Sequence, residues 1–393
     1  MVLSAIQASP GISRAELARN HGFSEMATTR IARELLVAGI IEEFELDRAK
    51  RGERALGRPK VGLRIAACGL FAAGITVSAY HSEVSICDAN GQLVASRKVQ
   101  DIPLFDAVQT GRHYAKALRA LIDESGFDLQ RFVGIGVALS ARTDPVTGRI
   151  VMSEYFGWGE DNGGFCEEVR NVINLPVEIE NIANALAIAE MRFGSARDLS
   201  EFTLIHAATF VGAGVVSDSR LVRGVSGISG LIGHFRTAEQ PLTCVCGRHD
   251  CLNLAATGFS LLSRLGLLDH QVFDRSKLSF YASTILDKLA DEASVTPLRE
   301  AGSNLALAVD NIVKLLGPER VILSGHLGTN EDYFEGARQA LEEQYGVGNI
   351  LVRGEISSVR SAALLALHAY CYLDRLDYDR FAETAPAKGR SHG

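Results

Sequence analysis

The sequence predicts an α/β protein in which a small N-terminal winged helix-turn-helix domain precedes a larger body of two lobes. Three features support this prediction. A helix, a glycine turn, a second helix and a strand follow one another in residues 13–46, the order of a winged helix-turn-helix. From about residue 67, strands and helices alternate in two similar series, as in α/β folds. Within the second series, three cysteines crowd into residues 244–251 after a nearby His234, a pattern typical of bound metal.

The bulk composition is that of a soluble protein with two or three domains. The chain has 393 residues, too many for one simple core. Hydrophobic residues make up 47% and charged residues 22%, which excludes disordered and fibrous proteins. The N-terminus has no basic flank followed by an apolar segment, and the longest apolar stretch, "CGLFAAGITV", is far shorter than the ~20 residues that span a bilayer. We therefore expect a cytoplasmic protein without membrane contact.

Charge is unevenly divided along the chain. Residues 1–64 carry 11 Lys and Arg against 8 Asp and Glu, a net charge of +3. The rest carries 29 basic and 39 acidic residues, a net charge of −10. A basic head on an acidic body is the asymmetry expected when only the head contacts a polyanion.

The head has clear helix boundaries. Ser13 followed by Glu16 is a capping box that opens a short helix, and Gly22 can take the positive φ of the turn after it. Ser24 caps a second helix, which Gly39 ends, and "IIEEFEL" then predicts a strand.

Two features favour DNA binding over the alternative, a generic pair of helices without a ligand. The second helix presents short polar and cationic side chains suited to base edges and phosphates, namely Thr28, Thr29, Arg30 and Arg33. The segment "RAKRGERALGRPK" then holds six basic residues against one acid, and its rigid Gly57-Arg58-Pro59 can place Arg58 in a minor groove. We expect these five side chains to contact double-stranded DNA.

The cysteine cluster predicts a structural zinc ion. Three thiolates and one imidazole complete a tetrahedral Zn²⁺ site and leave no position for an activated water. Cys244, Cys246 and Cys251 supply three ligands, and the spacing favours His234 as the fourth. His249 is the rival ligand, but it lies inside the cysteine loop, where folding back on the metal would strain the backbone. The remaining alternative is a group of unmetallated core cysteines.

The body contains motifs of a known family. "RGVSGISGLIGH" followed by "CVCGRHDC" resembles the G-x-x-G-x-A-G-E-x-G-H and C-x-C-G-x-x-G-C signatures of the ROK family (repressors, open reading frames and kinases). "GVALSARTDPVTG", "IENIANALAIAE" and "VILSGHL" are also similar, so the resemblance covers nearly the whole chain. It implies an actin-like, sugar kinase-like body, with His234 as a zinc ligand. A winged head ahead of this body matches the repressor branch of the family.

Combined with the pattern of elements, the resemblance divides the chain into three parts. We predict a DNA-binding domain and linker in residues 1–66. A first α/β lobe is expected in residues 67–182 plus 355–385. Residues 183–354 are predicted to form a second α/β lobe with the zinc site and the oligomerisation helices.

Two departures from the family's kinases argue against phosphoryl transfer. The kinases carry an Asp after Glu-Asn as general base, and here Ile182, which accepts no proton, follows Glu180-Asn181. Their first phosphate loop, D-x-G-G-T, corresponds to "ITVSAY", with Thr76 in place of the acid. The isolated pair Gly212-x-Gly214 is more often a strand requirement than a phosphate cradle.

The family's sugar contacts are also altered. Leu231 stands where the family has the Glu of A-G-E-x-G-H, and Asn253 replaces the Glu after the last cysteine. Asn181, His234 and Asn253 are therefore the candidate effector ligands that remain. We expect weak hexose binding and a less hydroxylated or partly apolar effector, unless Glu154 or Glu160 supplies replacement acids.

Together these features predict a DNA-binding transcriptional regulator of the ROK type, with repression as the expected mode. Its body would sense an effector, with sugar derivatives among the candidates, in the cleft between the lobes. A homodimer or tetramer would bind an inverted repeat. The alternatives are a sugar kinase, disfavoured by Ile182 and Thr76, and a regulator whose body binds a protein partner.

Overall fold

The computed structural model describes residues 2–45, 61–78, 82–99, 106–161, 163–268 and 271–373, together with Leu376 and Phe381. Among these residues, no helix combines the length and the apolar character that crossing a bilayer would require.

Three helices and a two-stranded antiparallel sheet form the head. In chain order they are α1 (Val2–Ala8), α2 (Arg14–His21), α3 (Glu25–Val37), β1 (Ile41–Glu45) and β2 (Val61–Ile65). The predicted capping box is confirmed, because the Ser13 side chain accepts from the Glu16 N–H and the Glu16 side chain accepts from the Ser13 N–H. Gly22 has φ 68° at the end of α2, and Ser24 caps α3 as predicted.

A five-stranded mixed sheet forms the core of the first lobe. Its spatial order is β5-β4-β3-β6-β9, with β3 (Phe71–Val77), β4 (Ser82–Asp88), β5 (Leu93–Lys98), β6 (Phe132–Leu139) and β9 (Val177–Asn181). A hairpin of β7 (Arg142–Asp144) and β8 (Arg149–Met152) follows β6. The covering helices are α4 (Ala107–Ser125), α5 (Gly164–Ile173) and α12 (Ser358–Leu367).

The sequence of β3 explains how both faces of this sheet are covered. Side chains alternate along a strand, so Ile75 and Val77 face the cluster formed with α4 and α5, while Ala72 and Thr76 face α12. The small side chains on the second side let α12 approach the sheet closely. Every residue of β3 is buried, as expected for a central strand with helices on both sides.

The second lobe is built on another five-stranded sheet, in the order β12-β11-β10-β13-β14. Its strands are β10 (Phe202–Ala207), β11 (Val211–Ser217), β12 (Arg220–Val222), β13 (Arg320–Ser324) and β14 (Leu351–Arg353). Its helices are α7 (Gly258–Arg264), α8 (Leu278–Lys288), α9 (Val295–Leu316), α10 (Gly325–Gly328) and α11 (Glu331–Tyr345). Helix α6 (Ile182–Phe193) packs on β10 and β11 and also on α12, so it lies between the two sheets.

Buried Glu190 joins the segment that follows α6 to the segment that leads into α12. Its carboxylate accepts from the backbone N–H of Ser195, at 2.8 Å, just after α6. The same carboxylate accepts from the N–H groups of Glu355, at 2.6 Å, and Ile356, at 2.7 Å, just before α12. With these donors bound, the buried charge is fully hydrogen-bonded.

The head and the body share one apolar core. Leu3 and Ile6 of α1 belong to the same buried cluster as Leu364 of α12 and Tyr372. Hydrogen bonds reinforce this contact, from Ser4 Oγ to the Tyr372 carbonyl at 2.8 Å and from Gln7 Nε2 to the Arg192 carbonyl at 3.1 Å. The head is therefore packed against the body.

A buried arginine of the body also holds the head. The guanidinium of Arg131 donates to the carbonyl of Ala38, which ends α3, at 3.0 Å. It also donates to the carbonyls of Gly69 and Phe381. Desolvation lowers the pKa of this guanidinium, but arginine remains protonated at any physiological pH.

Candidate functional site

The four predicted metal ligands lie together. One ligand atom from each of His234, Cys244, Cys246 and Cys251 can be chosen so that all four lie within 4.8 Å of one another. The Cys246 and Cys251 sulfurs are 3.5 Å apart, and Cys244 Sγ is 3.7 Å from His234 Nδ1. Tetrahedral zinc with bonds of about 2.3 Å to sulfur holds its ligands at comparable separations. The donor set and its spacing thus fit Zn²⁺.

The rival ligand His249 lies outside this group. Its Nδ1 is 3.0 Å from the carbonyl of Leu242, with which it makes a hydrogen bond inside the cysteine loop. The sharp turn of that loop falls at Gly247, whose φ of 85° favours glycine.

Arg248 supplies positive charge beside the thiols. Its Nη2 lies 3.2 Å from Cys251 Sγ and 2.5 Å from the carbonyl oxygen of His234. Burial would raise the pKa of the Cys246 thiol, but hydrogen bonds from Arg248 and the neighbouring cysteines outweigh it and lower that pKa to about 6. The thiolate is the form of cysteine that binds metal, so this environment favours a ligand at Cys246.

His234 connects the cysteine cluster to the opposite lobe. Its Nδ1 faces Cys244, while its Nε2 lies 3.0 Å from a carboxylate oxygen of Glu154, which follows β8 of the first lobe. The hydrogen bond to Glu154 is the main cause that raises the pKa of His234, and it lowers the pKa of Glu154 in turn. With Nδ1 on a metal, the Nε2–H group would donate to Glu154 and fix the ring.

A cavity opens between the lobes beside this histidine, as predicted. The empty space that it encloses, together with the solvent at its open mouth, is about 760 Å³. Both lobes line it, with residues 140–142, 152–155 and 181–183 of the first lobe and residues 206, 210–213, 227, 229–231 and 234 of the second.

The cavity wall is apolar at the positions where the family's pocket has acids. Ile182 and Leu231 both line it, together with Phe210 and Met152. Of the two acids considered as replacements, Glu154 lines the cavity, whereas Glu160 is paired with Arg149 at 2.7 Å and is not among the lining residues. Glu154 is therefore the one of these two carboxylates that faces the cavity.

The three predicted effector ligands differ in whether they reach the cavity. Asn181 and His234 line the cavity. Asn181 also caps α6, because its Oδ1 accepts from the Ala183 N–H and its Nδ2 donates to the Ala141 carbonyl, both at 2.9 Å. The prediction for Asn253 is wrong, because its side chain is fully buried behind the cavity wall. Its Oδ1 accepts from the Val211 N–H at 3.0 Å, so its role is structural.

An ion pair between the lobes was not anticipated from the sequence. Glu180, only 2% exposed, lies 2.7 Å from Nε of Arg223, which follows β12 of the second lobe. Its other oxygen accepts from the Asn181 N–H and from Asn184 Nδ2, both at 3.0 Å. Both residues stand in the motifs "IENIANALAIAE" and "RGVSGISGLIGH", but they are 43 residues apart and no local pattern links the two.

The positions of the lost phosphate loops are occupied by packing contacts. Thr76 is buried, and its hydroxyl donates to the Ser358 carbonyl at 3.2 Å, at the start of α12. At Gly214, any added Cβ would lie 2.7 Å from the carbonyl oxygen of Ala183, so the close approach of α6 to β11 requires glycine there. Both features have structural explanations.

The predicted DNA-contacting side chains are divided by the packing of α3. Thr29, Arg30 and Arg33 are exposed, and Arg30 forms only a loose surface pair with Glu34 at 3.8 Å. Thr28 is 1% exposed, so its prediction is wrong. Residues one and two turns apart face the same side of a helix, and Thr28 lies on the buried stripe completed by residues 32 and 35. Arg58 lies outside the described residues.

Comparisons with known proteins connect this geometry to a family. The sequence profile described as "ROK family" matches residues 72–350. The chain is 24% identical over 326 residues to "DNA-binding transcriptional dual regulator NagC" of Escherichia coli K12, covering 80% of this chain and 77% of that protein. It is 23% identical over 403 residues to "Xylose repressor" of Caldicellulosiruptor bescii, covering 97% of each.

A solved structure shares the whole architecture. It is the crystal structure of a ROK family transcriptional regulator described as a homologue of the Escherichia coli MLC protein, with a TM-score of 0.72 and 21% identity. The similarity covers 98% of this chain and 96% of that one, so it includes the head as well as both lobes.

Proposed function

Because the chain belongs to the ROK family, we propose that it is a DNA-binding transcriptional regulator, a repressor whose body senses an effector in the cleft between the lobes. The observation that carries this proposal is the head, in which α2, a glycine turn, α3 and the β1–β2 hairpin have the order of a winged helix-turn-helix. The relatives named as a transcriptional regulator and a repressor support the same assignment.

In this proposal α3 enters the major groove. Thr29, Arg30 and Arg33 would contact base edges and phosphates, since they are exposed on one helix with hydrogen-bonding or cationic ends. The loose pair between Arg30 and Glu34 is no obstacle, because exposed ion pairs contribute only ~0–1 kcal/mol. Arg58 would reach an adjacent minor groove.

The zinc ion is proposed to be structural, with one ion per chain. His234, Cys244, Cys246 and Cys251 would saturate a tetrahedral site. When bound, the ion supplies folding free energy and fixes the orientation of His234 towards Glu154.

A catalytic role is disfavoured by the residues of the cleft. Ile182 stands at the position of the family's general base and cannot orient a sugar hydroxyl for phosphoryl transfer. Thr76, at the first phosphate loop, is buried and bonded to the backbone.

The proposed division of the chain is residues 1–66 for DNA binding, 67–182 plus 355–385 for the first lobe, and 183–354 for the second. Since two-fold dimers of helix-turn-helix proteins read symmetric half-sites, a homodimer or tetramer on an inverted repeat is proposed.

The test uses the full-length protein to select bound fragments from the source genome. Binding of a recovered fragment is then measured by fluorescence anisotropy for the wild type and for Arg30→Ala and Arg33→Ala. Each substitution should lower affinity about five- to hundredfold, because such contacts contribute ~1–3 kcal/mol.

The matched control is Arg119→Ala. Arg119 is an exposed arginine in an i,i+4 pair with Asp123 on the body, as Arg30 is with Glu34 on the head. The Arg119→Ala substitution should leave DNA affinity unchanged. If Arg30→Ala and Arg33→Ala bound as the wild type does, α3 would not be the reading element.

A further inference from the structure

One cationic side chain of the cleft has no partner of its own. Arg142, on β7, lines the cavity, and within the described part of the chain it makes neither a hydrogen bond nor an ion pair. Glu154 lies just after β8, the strand that pairs with β7, and lines the same cavity. Arg142 and Glu154 thus offer opposite charges to one cavity.

Two polar side chains at or beside the cavity are already engaged. Both hydrogen-bonding groups of Asn181 are used by the backbone, and Glu180 is saturated by Arg223 and by local donors. A hexose would need many free acceptors and donors, which these side chains do not offer. Among the charged groups that line the cavity, the guanidinium of Arg142 and the second carboxylate oxygen of Glu154 remain for a ligand.

Apolar side chains line the cavity together with these two groups. Ile182, Leu231 and Phe210 line the same cavity. An arginine beside an apolar surface binds a carboxylate strongly, because its planar fork matches two oxygens and the surroundings screen the charges poorly. A dianionic phosphate fits less well, since a single guanidinium faces it and the Glu154 carboxylate would repel it.

We propose that the effector is a small organic monocarboxylate with an apolar body and a hydrogen-bond donor. Its carboxylate binds Arg142, its hydroxyl donates to Glu154, and its apolar part packs on Ile182 and Leu231. This inference rests on the proposed function, in which the cleft is the sensing site.

The test titrates the full-length protein by calorimetry with three carboxylates, mandelate, benzoate and glucuronate, and with their neutral counterparts mandelamide, benzamide and glucose. Mandelate should bind best, since it has the carboxylate, the hydroxyl and an apolar ring, and it should release operator DNA. Its affinity should exceed that of mandelamide by about ten- to a hundredfold, the effect of a charged hydrogen-bonded pair.

Arg142→Gln should lower the affinity for mandelate by the same factor of about ten to a hundred. It should leave the affinity for mandelamide unchanged. The matched control is Arg149→Gln, on the partner strand of the same hairpin, whose arginine is paired with Glu160 and does not line the cavity. It should bind mandelate as the wild type does.

Several results would overturn the inference. They are equal binding of mandelate and mandelamide, undiminished binding by Arg142→Gln, tighter binding of glucose or glucuronate than of mandelate, or no carboxylate bound at about 1 mM. Operator affinity measured without ligand separates failure of this inference from failure of the proposed function. If the operator is bound but carboxylates are not, this inference alone fails. If no DNA is bound, the proposed function fails, while calorimetry still reports on Arg142.

Discussion

The Glu180–Arg223 pair places a carboxylate in the interior and its cation at the surface. The carboxylate is 2% exposed and the arginine side chain 38% exposed, so removal of the cation would leave a nearly buried charge with only neutral donors. Since the two residues belong to different lobes, the pair also holds the lobes together across the cleft.

We expect Arg223→Ala to lower the free energy of unfolding by about 1–3 kcal/mol. Breaking a fully buried pair costs more, but the exposure of Arg223 reduces the effect. The control Arg149→Ala removes an arginine of equal exposure at the same 2.7 Å from a carboxylate that is 56% exposed, and its cost should be near zero. Equal denaturation midpoints for the two variants would refute this assignment.

The metal cluster yields a second prediction at the scale of single residues. The wild type should contain about one zinc per chain, and Cys246→Ser should lose the metal and lower the melting temperature, because metal-binding free energy is also folding free energy. Cys68→Ser, at an exposed cysteine outside the cluster, should keep the zinc content and the melting temperature of the wild type. Elemental analysis and thermal unfolding of the three proteins decide the matter; a zinc-free wild type purified without chelators would contradict it.

At this scale, the sequence predicted the ligand set better than it predicted the surface. Three cysteines and a histidine at this spacing have few other uses, so the chemistry of the side chains was sufficient. Exposure of Thr28 and Asn253 depended on which way a helix faced and on which loop covered the cleft. Neither is fixed by residue type, and both residues are buried.

Among the elements, α3 is held from both ends. Ser24 caps its start, and Arg131 of the body binds the carbonyl of Ala38 at its end. The orientation of the proposed reading helix is therefore set by a side chain of the body.

Arg131→Ala should loosen the end of α3 and lower the free energy of unfolding by about 2–3 kcal/mol, because buried carbonyl groups would lose a charged donor. Hydrogen exchange measured by mass spectrometry should quicken in residues 25–40 and remain unchanged in residues 234–254. Arg131→Lys keeps the charge with fewer donors. Its exchange rate in residues 25–40 should therefore lie between those of the wild type and of Arg131→Ala. Unchanged exchange in α3 would show that Arg131 does not hold the head.

Elements with marked ends were predictable, as α2 and α3 show with their Ser13 and Ser24 caps. The hairpin of β7 and β8, β9 and helix α5 were not assigned from the sequence. Strands of three to five residues gain their stability from neighbours in the sheet, which the local sequence does not reveal.

For the whole molecule, the division of charge bears on the proposed binding to DNA. A head of net charge +3 on a body of net charge −10 should orient the protein with the head towards the phosphates.

We therefore expect operator binding to weaken by at least about tenfold between about 50 and about 200 mM salt, since each phosphate contact releases counterions. Footprinting should show two protected half-sites whose centres are about one helical turn, or a multiple of it, apart. Anisotropy titrations at several salt concentrations give the slope. Salt-independent affinity or a single asymmetric footprint would contradict the proposed two-fold mode.

The core shared by α1, α12 and Tyr372 has a consequence for protein engineering. A head that completes the interior of its own body cannot be grafted as a unit onto the body of a relative. In such a chimera, Leu3 and Ile6 would pack against side chains whose shapes do not complement theirs. Exchange of operator specificity should therefore succeed when only the exposed face of α3 is transplanted. It should fail when the whole head is moved without the surface of the body on which α1 packs.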